Sequence, residues 1–456
     1  MGESKGFDVT EGPLLLKIFK FSLPLMAAGM LQLGFNMMDS VVVGRFDGSR
    51  ALAGVGSTAT IINLLVNGLI GLSIGATVMI SQSIGSKEFE KAGKYAHASI
   101  AISLLLGFIV GALGFFVAGP ALKLMKVPKE VLPLSRLYLK IYFVGTPVMM
   151  LYNFGSAVMR TIGDTKRPML YLGAGGIINI LLNLLLVIVF KLSVAGVAIA
   201  TVISNFVSAA LVMRDLLKTD TCCRIYIKKI GFTRTELGRI CAIGLPACVQ
   251  SAMFSISNII MQSSINSFGA AAIAGNTASQ NIEGIQMVAM DGFMQSCITF
   301  VGQNYGARKP QRILKSWFLC LASAFALEIV FVAVMLPLRF IAIGFFIPND
   351  PAAVDFASKR YIIMCTMHIF AAVMNITVGA LRGMGKSLLP MLQSIFGVCI
   401  LRLIYVFAYF RYHKDYMTLM AIYPATWFLT AFVLVIMMIV CYKKFKNKIQ
   451  MNGDLS

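Results

Sequence analysis

The 456-residue chain has little charge and few of the residues that carry out catalysis. Charged residues make up 13% of it, against 58% hydrophobic residues, and its only histidines are His97, His368 and His413. None of the three has a Ser, Cys or carboxylate at a spacing that indicates a catalytic triad or a metal site. The complete phosphate-binding loop of ATPases, GxxxxGK followed by Ser or Thr, does not occur either. The sequence therefore indicates neither an enzyme nor a protein driven by ATP.

Cysteine is too scarce and too irregularly spaced for a protein held together by disulfides or zinc. The nine cysteines are odd in number, and only Cys222 and Cys223 lie away from long apolar stretches. No pair has the spacing of a zinc site. The first residues are polar and lack the apolar core and cleavage site of a secretory signal, so we expect no cleaved leader. We also expect no metal and no organic cofactor.

The chain does contain many long apolar runs. Each has about the twenty residues that an α-helix needs to cross a bilayer. Because hydrocarbon offers no hydrogen-bond partners, every backbone amide must be satisfied internally, and we predict that each run is a helix. The twelve predicted spans cover residues 18–42, 52–80, 96–118, 137–160, 168–190, 194–213, 240–266, 273–301, 317–345, 361–381, 388–410 and 418–441.

The twelve spans come from a duplication. Phe21-Ser-Leu-Pro24 returns as Ile243-Gly-Leu-Pro246, and the arginine that begins Arg160-Thr-Ile-Gly163 returns as Arg382 in Arg382-Gly-Met-Gly385. Both pairs are 222 residues apart, so the two copies stay in register over most of their length. The predicted fold class is therefore an all-α polytopic membrane protein, with 12 transmembrane helices in two homologous six-helix bundles.

Basic residues give the chain a net charge of +21, which does not indicate nucleic-acid binding. Lys and Arg concentrate in the amino-terminal segment, in every second loop and in the tail, as the positive-inside rule predicts for cytoplasmic loops. We expect both termini in the cytoplasm and no nucleic-acid partner. The expected domains are a cytoplasmic segment (1–17), an N-lobe (18–213), a basic linker (214–239), a C-lobe (240–441) and a basic tail (442–456).

Several motifs, taken together and in order, resemble a known family. They are Pro24 with Asp39, Leu52-Ala-Gly-Val-Gly56, Gln82-Ser-Ile-Gly85, the segment from Arg160 to Pro168 with its echo at Arg382, Asn266-Ser-Phe-Gly-Ala270, Ala274-Gly-Asn-Thr-Ala278 and Asn281-Ile-Glu-Gly284. This set resembles the bacterial branch of the multidrug and toxic compound extrusion (MATE) family. The resemblance implies two six-helix bundles in a V shape around a central cavity. It also implies a monomer in the bacterial inner membrane, surrounded by lipid, that exports organic cations and amphiphilic drugs in exchange for H+ or Na+ by alternating access.

The predicted first helix carries one polar stripe that includes a carboxylate. Gln32, Asn36 and Asp39 fall at i, i+4 and i+7, so they lie on one face of an otherwise apolar helix. A charge in the middle of a membrane helix is costly and needs a partner, a cation or a proton. We therefore expect this stripe to face the interior of the bundle and Asp39 to take part in ion coupling. A structural role, with Asp39 hydrogen-bonded near the helix end, is the alternative.

The resemblance extends this site to two further helices. Family members form an amino-lobe cation site from an Asp on helix 1, two polar residues four apart on helix 5 and a Thr on helix 6. Asp39, Asn179, Asn183 and Thr201 match those positions. Some relatives carry a second Asp where this chain has Asn183, so H+ is favoured over Na+ without Na+ being excluded. Asparagines in membrane helices also serve simply as interhelical hydrogen-bond partners.

The second copy has polar residues of its own. Asn36 aligns with Asn258, but Asp39 aligns with Met261, so the carboxylate is private to the first copy. Isolated in a membrane helix, Arg402 needs a carboxylate partner, and we predict Glu283. If the two pair, they form a structural tie; if Glu283 is free, it is a second ion or substrate site. The other second-lobe candidates are Asn258, Gln262 and Asp291, and Met37, Met261 and Met287 join Gln32 as candidates for lining a substrate cavity.

Two other functions remain open from the sequence. One is a flippase for lipid-linked oligosaccharides from the same broad superfamily, which would usually add helices and a cationic cavity. The other, from a different class, is a channel or a receptor that does not transport. The carboxylates Asp39 and Glu283 argue against the flippase. The duplication and the lack of an extramembrane ligand domain argue against the channel or receptor.

Overall fold

The computed structural model describes residues 9–62, 68–125, 127–347 and 350–453, and this part of the chain contains helices and no strand. The first repeat begins with α1 (Leu14–Phe46), which matches the first predicted span. The second span is built from α2 (Ser49–Gly56), α3 (Ala59–Ile62) and α4 (Gly68–Gly85). Its residues 63–67 lie outside the described part. The repeat continues with α5 (Phe89–Leu124), α6 (Leu132–Val144), α7 (Thr146–Thr161), α8 (Lys166–Asn183) and α9 (Ser193–Lys218).

The second repeat follows a short 3-10 turn, Ile227–Lys229, in the linker. Its helices are α10 (Arg234–Asn266), α11 (Ala270–Gly306), α12 (Pro310–Met335), α13 (Arg339–Phe346), α14 (Pro351–Gly383), α15 (Leu388–Ser394), α16 (Leu401–Ile404) and α17 (Tyr416–Gly453). Every predicted span therefore corresponds to one helix or to a chain of short helices.

Length and composition support the membrane assignment. Within the described ranges, nine helices are long and apolar enough to cross a bilayer, and α6 with α7 forms a tenth span bent by 49°. The shorter apolar stretch Ile70–Gly85 completes the second predicted span. The longer α11 is not among these nine, because carboxylates and amides such as Glu283, Gln286 and Asp291 interrupt its apolar run.

Two compact units make up the described chain, and two helices contribute to both. Unit 1 contains Leu23–Cys248, and unit 2 contains Val9–Ser22 together with the residues from Val249 onward. The divisions fall within α1 and α10, next to Pro24 and Pro246, whereas the expected lobe boundaries fell in loops. Proline lacks the N–H that continues the helical hydrogen bonds, so each division lies beside a weakened point of its helix.

Close helix packing holds the first half of α10 inside unit 1. A Cβ atom on Gly75 of α4 would overlap the carbonyl oxygen of Ile240, and one on Gly244 would lie 2.8 Å from the Cα of Leu72. Only glycine allows these two backbones to approach so closely. The first half of α10, the helix that starts the second repeat, is therefore packed against α4 within unit 1.

A widened helical turn recurs in both repeats. The six residues Leu184–Val189 form a π-helix directly after Asn183, and Tyr405–Phe410 form another about 222 positions later. A third, Ile395–Ile400, lies between α15 and α16. Such π segments are rare and are commonly found at functional sites. Here one of them ends the helix that carries the two asparagines of the predicted coupling site.

Candidate cation-coupling site

Asp39 and Asn183 are in direct contact in unit 1. The Nδ2 atom of Asn183 donates a hydrogen bond of 2.5 Å to Oδ1 of Asp39, although the two residues are 144 positions apart. The same amide nitrogen lies 3.2 Å from Oδ1 of Asn179, one turn earlier on α8. Asn183 and Asn179 are buried and Asp39 is half-buried. Of the polar stripe of α1, Asp39 therefore contacts α8, whereas Gln32 and Asn36 are exposed.

Thr201 on α9 completes the group. Its hydroxyl lies 3.5 Å from Nδ2 of Asn179, which donates to it, and it donates to the carbonyl oxygen of Val197 at 2.9 Å. Hydrogen bonds therefore run from Thr201 through Asn179 and Asn183 to Asp39. The structure brings together all four residues that the sequence and the resemblance selected.

A small cavity lies beside this chain of hydrogen bonds. Its volume is about 40 Å³, enough for about three water molecules. Asp39, Asn179 and Thr201 line it together with Gln32, Phe35, Asn36, Leu172, Gly175, Gly176, Ser204, Asn205 and Ser208. A Cβ atom on Gly176 would overlap the ring of Phe35, so a side chain there would push α1 away from α8. The cavity suits water or a small ion and is too small for an organic cation.

The remaining candidates of unit 1 are Gln32 and Asn36, which line this cavity, and Met37, which is not among its lining residues. Asn36 is exposed, and its Oδ1 accepts a hydrogen bond of 3.4 Å from Nε2 of Gln32. Met37 is 43% exposed and forms none of the hydrogen bonds that connect Asp39 to α8. The buried Oδ1 of Asn183 has no hydrogen-bond partner among the described residues, so one acceptor close to Asp39 is unused.

Glu283 pairs with a different arginine from the predicted one. Its two carboxylate oxygens accept hydrogen bonds of 3.0 and 2.8 Å from Nε and Nη2 of Arg360, and Ser279 donates another at 2.7 Å. Both charged side chains are buried. Arg402 lies instead with its guanidinium 4.2 Å from the ring centre of Tyr423, and its Nε donates to Thr426 at 3.2 Å. The predicted pair of Arg402 with Glu283 is therefore wrong.

The sequence prediction missed Arg360 because it began the tenth span at residue 361. Helix α14 begins ten residues earlier, at Pro351, where Asp350 accepts a hydrogen bond of 3.0 Å from the backbone N–H of Ala353. An Asp before a Pro is a recognisable signal for the start of a helix. Used on this segment, that signal would have placed Arg360 inside α14, two to three turns from its beginning.

A second buried acid–base pair was not predicted. Nδ1 of His368 lies 2.7 Å from Oε1 of Glu328, and Nε2 of Gln286 donates to the other carboxylate oxygen at 2.6 Å. All three side chains are buried in unit 2. The sequence places both charged residues in apolar spans but provides no spacing that connects α12 to α14.

The other candidates of unit 2 do not join these pairs. Gln262 bonds to Asn266 at 2.9 Å and accepts from Asn276 at 2.8 Å, which connects α10 to α11. Asn258 and Asp291 are exposed, and Met287 is 45% exposed. Met261 is fully buried, so it lines no open surface. Of the fourteen candidates, four form one hydrogen-bonded cluster in unit 1, three others of unit 1 lie outside that cluster, and the seven of unit 2 lie at scattered positions.

These features define a class of protein. Two repeats of six membrane helices, with a carboxylate held inside one repeat by uncharged amides, are the architecture of a secondary transporter. Among the described residues, no group of three or more His, Cys, Asp or Glu is arranged to hold a metal ion.

Comparison with known proteins identifies the family. A family model described as MatE matches residues 24–185 and 246–408, once in each repeat. The chain therefore belongs to the MatE family, the multidrug and toxic compound extrusion transporters, as the sequence motifs predict.

Relatives and solved structures agree with this assignment. The chain is 27% identical to the probable multidrug resistance protein YpnP of Bacillus subtilis, over 68% of this chain and 69% of that protein. It is 25% identical to the probable multidrug resistance protein NorM of Thermotoga maritima, over 87% and 86% of the two chains. A crystal structure described as MATE in complex with MaL6 superposes with a TM-score of 0.91 at 21% identity, covering 98% of this chain and 100% of that one. The predicted fold class of twelve helices in two repeats is confirmed.

Proposed function

We propose that this transporter is an antiporter that exports organic cations and amphiphilic drugs by alternating access, in exchange for protons taken up at Asp39. The observation that supports this most directly is the hydrogen-bonded group of Asp39, Asn183, Asn179 and Thr201 beside a cavity of about 40 Å³. A carboxylate in a membrane helix needs a partner, a cation or a proton, and within the described part of the chain the groups hydrogen-bonded to this one are neutral. Its charge is therefore available to the coupling ion.

The orientation of the amides favours a proton over sodium. Sodium is a hard cation and prefers several oxygen ligands around it, as other hard cations do. Asn183 directs its N–H group, not its oxygen, at Asp39, and Asn179 directs its N–H at Thr201. With one carboxylate, and with an N–H of Asn183 rather than an oxygen turned towards it, the group suits a proton better than a cation that needs several oxygen ligands. A rotation of the Asn183 amide would present the unpartnered Oδ1 to a cation and convert the group into a sodium cage.

The substrate class rests on the relatives and not on a described cavity. The relatives named above are called probable multidrug resistance proteins, and the resemblance of the motifs implies export of organic cations. We place the protein in the bacterial inner membrane with both termini in the cytoplasm, because Lys and Arg are concentrated in alternate loops and in the tail. It works there as a monomer, surrounded by lipid and without a nucleic-acid partner.

Ethidium movement in inverted membrane vesicles tests the proposal. In this arrangement export from the cell becomes uptake into the vesicle, and a pH gradient or a sodium gradient is imposed separately. We expect the pH gradient alone to drive ethidium uptake and nigericin, which dissipates that gradient, to abolish it. Asp39→Asn removes the exchangeable proton with little change of shape and should abolish the gradient-driven part. Asp220→Asn is the matched control, because the side chain of Asp220 is 98% exposed in the linker.

The outcomes separate the alternatives. Uptake that needs sodium and that no pH gradient sustains would show that the group around Asp39 is a sodium site. A protein that moves lipid-linked oligosaccharide and leaves ethidium untouched under either gradient would be a flippase. Ethidium movement that never exceeds its equilibrium distribution would indicate a channel, and binding without movement a receptor.

A further inference from the structure

Two adjacent cysteines of the linker hold their thiols side by side, away from the coupling site. Cys222 and Cys223 are the central residues of a turn, which is closed by a hydrogen bond of 3.1 Å from the N–H of Arg224 to the carbonyl oxygen of Thr221. Both thiols are free, and their Sγ atoms lie 3.9 Å apart. Cys222 is half-buried, whereas Cys223 is fully buried. The turn therefore presents two thiols that a single ligand atom can join.

Hydrogen bonds hold the end of this turn against two helices of unit 1. The N–H of Ile225 donates to the carbonyl oxygen of Leu216 on α9 at 2.8 Å. The N–H of Tyr226 donates to Nε2 of His97 on α5 at 2.9 Å. The positions of the two thiols are therefore fixed before any ligand arrives, which lowers the entropic cost of holding both of them at one atom.

A large cavity opens beside the turn. Its volume is about 840 Å³, within the range of sites for small organic molecules. Cys222 lines it, and so do the exposed aromatic rings of Phe89, Tyr226 and Phe232. Three basic and three acidic side chains also line it, so the cavity does not select a ligand by the sign of its charge. A ligand bonded to the thiols has room here for an aromatic substituent.

The two thiols differ in acidity. The hydrogen bond between them lowers the pKa of Cys222 and raises the pKa of Cys223, whose burial raises its pKa further. The thiolate, and not the thiol, is the nucleophile and the metal ligand. Cys222, which lines the cavity, is therefore the first of the two to react with an entering ligand, and Cys223 is the second.

The number of thiols selects the class of ligand. Thiolates prefer soft, polarisable metals and metalloids. Among the described residues, no group of three or more His, Cys, Asp or Glu is arranged to hold a metal ion, so a metal such as zinc lacks the protein ligands it requires here. Trivalent arsenic that already carries one organic group has two bonds left, which matches two thiols. Inorganic arsenite has three, and one of them would find no thiol.

We propose that Cys222 and Cys223 form a binding site for trivalent arsenicals with one organic substituent, which the adjoining cavity accommodates. Cys222 forms the first As–S bond to R–As(OH)₂ and displaces one hydroxyl, and Cys223 forms the second bond and displaces the other. The two hydroxyls leave as water with the two thiol protons, and the oxidation state of arsenic does not change. The site does not depend on ion coupling at Asp39.

Phenylarsine oxide, an arsenical of this kind, tests the site on the purified full-length protein in detergent. Intact mass spectrometry should show one phenylarsenic group per chain, which the dithiol dimercaptopropanol removes and an equal concentration of thiol as mercaptoethanol does not. Cys222→Ser and Cys223→Ser should each weaken binding by about 100-fold, because the second bond no longer forms within one complex. Cys241→Ser with Cys441→Ser is the matched control, since it removes two other half-buried cysteines, and it should bind like the wild type.

Three results would overturn the proposal. Uptake of phenylarsine oxide only after unfolding would show that the two thiols are inaccessible in the folded protein. Unchanged binding by both serine variants would place the arsenic elsewhere, for example on the buried Cys297 and Cys320, whose thiols are also hydrogen-bonded. Arsenite that binds as tightly as phenylarsine oxide would contradict the requirement for one organic substituent.

Peptide mapping of the wild type provides a test that does not require the variants to fold. The protein is treated with phenylarsine oxide, unfolded, and alkylated with a first reagent, which labels every cysteine that holds no arsenic. Dimercaptopropanol then removes the arsenic, and a second reagent labels the released thiols. We expect the second label on both Cys222 and Cys223 and on none of the other seven cysteines. The second label on other cysteines, or on one of these two alone, would refute the dithiol site.

Discussion

The two units are built from the same repeat and contain buried charge in different ways. Unit 1 holds one carboxylate, Asp39, among neutral amides and a threonine. Unit 2 holds two buried acid–base pairs, Glu283 with Arg360 and Glu328 with His368. Two further arginines are buried there: Arg402 lies against aromatic rings, and Arg382 donates a hydrogen bond to Gln250. A charge without an opposite partner is suited to bind and release an ion, whereas a bidentate pair holds helices together.

The register of the duplication shows that these charged residues have no charged counterpart at the matching position of the other repeat. Asp39 aligns with Met261 and Thr201 with Tyr423, so unit 2 lacks the cluster of unit 1. In the other direction Arg360 aligns with Tyr138 and His368 with Thr146. The π-helical turns recur near the same register, after Asn183 and at Tyr405. Features shared by both units therefore belong to the common backbone, and features found in one unit are candidates for function.

The largest effect is expected from the lone carboxylate of unit 1. Asp39→Asn should reduce gradient-driven ethidium export to background, because Asn is nearly the same shape but cannot exchange a proton. Protein amount and thermal unfolding should stay close to those of the wild type, since Asn183 can still bond to the amide oxygen. Export at the wild-type rate from this variant, at equal expression, would show that Asp39 does not couple ion movement to export.

The ion pair of unit 2 should respond as a structural tie. Glu283→Gln and Arg360→Met should each destabilise the protein by about 3–5 kcal/mol, because each change leaves the other charge buried and unpaired. The double variant should be less destabilised than the sum of the two single variants. Thermal unfolding in detergent, analysed as a double-mutant cycle, measures this coupling. Additive losses would contradict the pairing.

A second carboxylate in unit 1 should sharpen the comparison between proton and sodium. Asn183→Asp places two acidic oxygens beside those of Asp39, which favours a cation that needs several oxygen ligands. We expect sodium to stimulate ethidium export in this variant several-fold more than in the wild type. Asn205→Asp, at another residue that lines the same cavity, is a control for added charge alone. If the two variants respond equally to sodium, the position next to Asp39 has no special role.

The smallest effect is expected at the start of α14. Asp350→Ala removes the side chain that accepts from the backbone N–H of Ala353 and should cost about 1 kcal/mol of stability. Arg360 lies two to three turns beyond the start of this helix. Fraying of the first turn should therefore leave its pair with Glu283 in place and lower the unfolding temperature only slightly. Asp355→Ala, which removes an exposed carboxylate paired with Lys359, provides the matched control. A shift no larger than that of the control would show that the cap contributes nothing.

The site of unit 1 was predictable because its residues on each helix are close together in the sequence. Gln32, Asn36 and Asp39 share a face through helical periodicity, and Asn179 and Asn183 do so one turn apart. The resemblance to the family then connected the helices. The pairs of unit 2 were not predictable in this way. Glu283 with Arg360 and Glu328 with His368 connect residues 77 and 40 positions apart, and no periodicity relates such distant residues.

Three features were determined by the sequence alone: that the chain is built for a membrane, where its helices lie, and that it contains a duplication. Apolar runs of the length of a bilayer require helices, and the repeated prolines and arginines set the register of the copies. Tertiary structure alone decided which charges are paired, which amide group of Asn183 faces Asp39, and where α1 and α10 pass from one unit to the other. The physical reason is the distance in sequence over which each effect acts. The membrane requires each apolar segment to be a helix regardless of the others. A buried charge, in contrast, pairs with whichever group the packing of distant helices brings within hydrogen-bond distance.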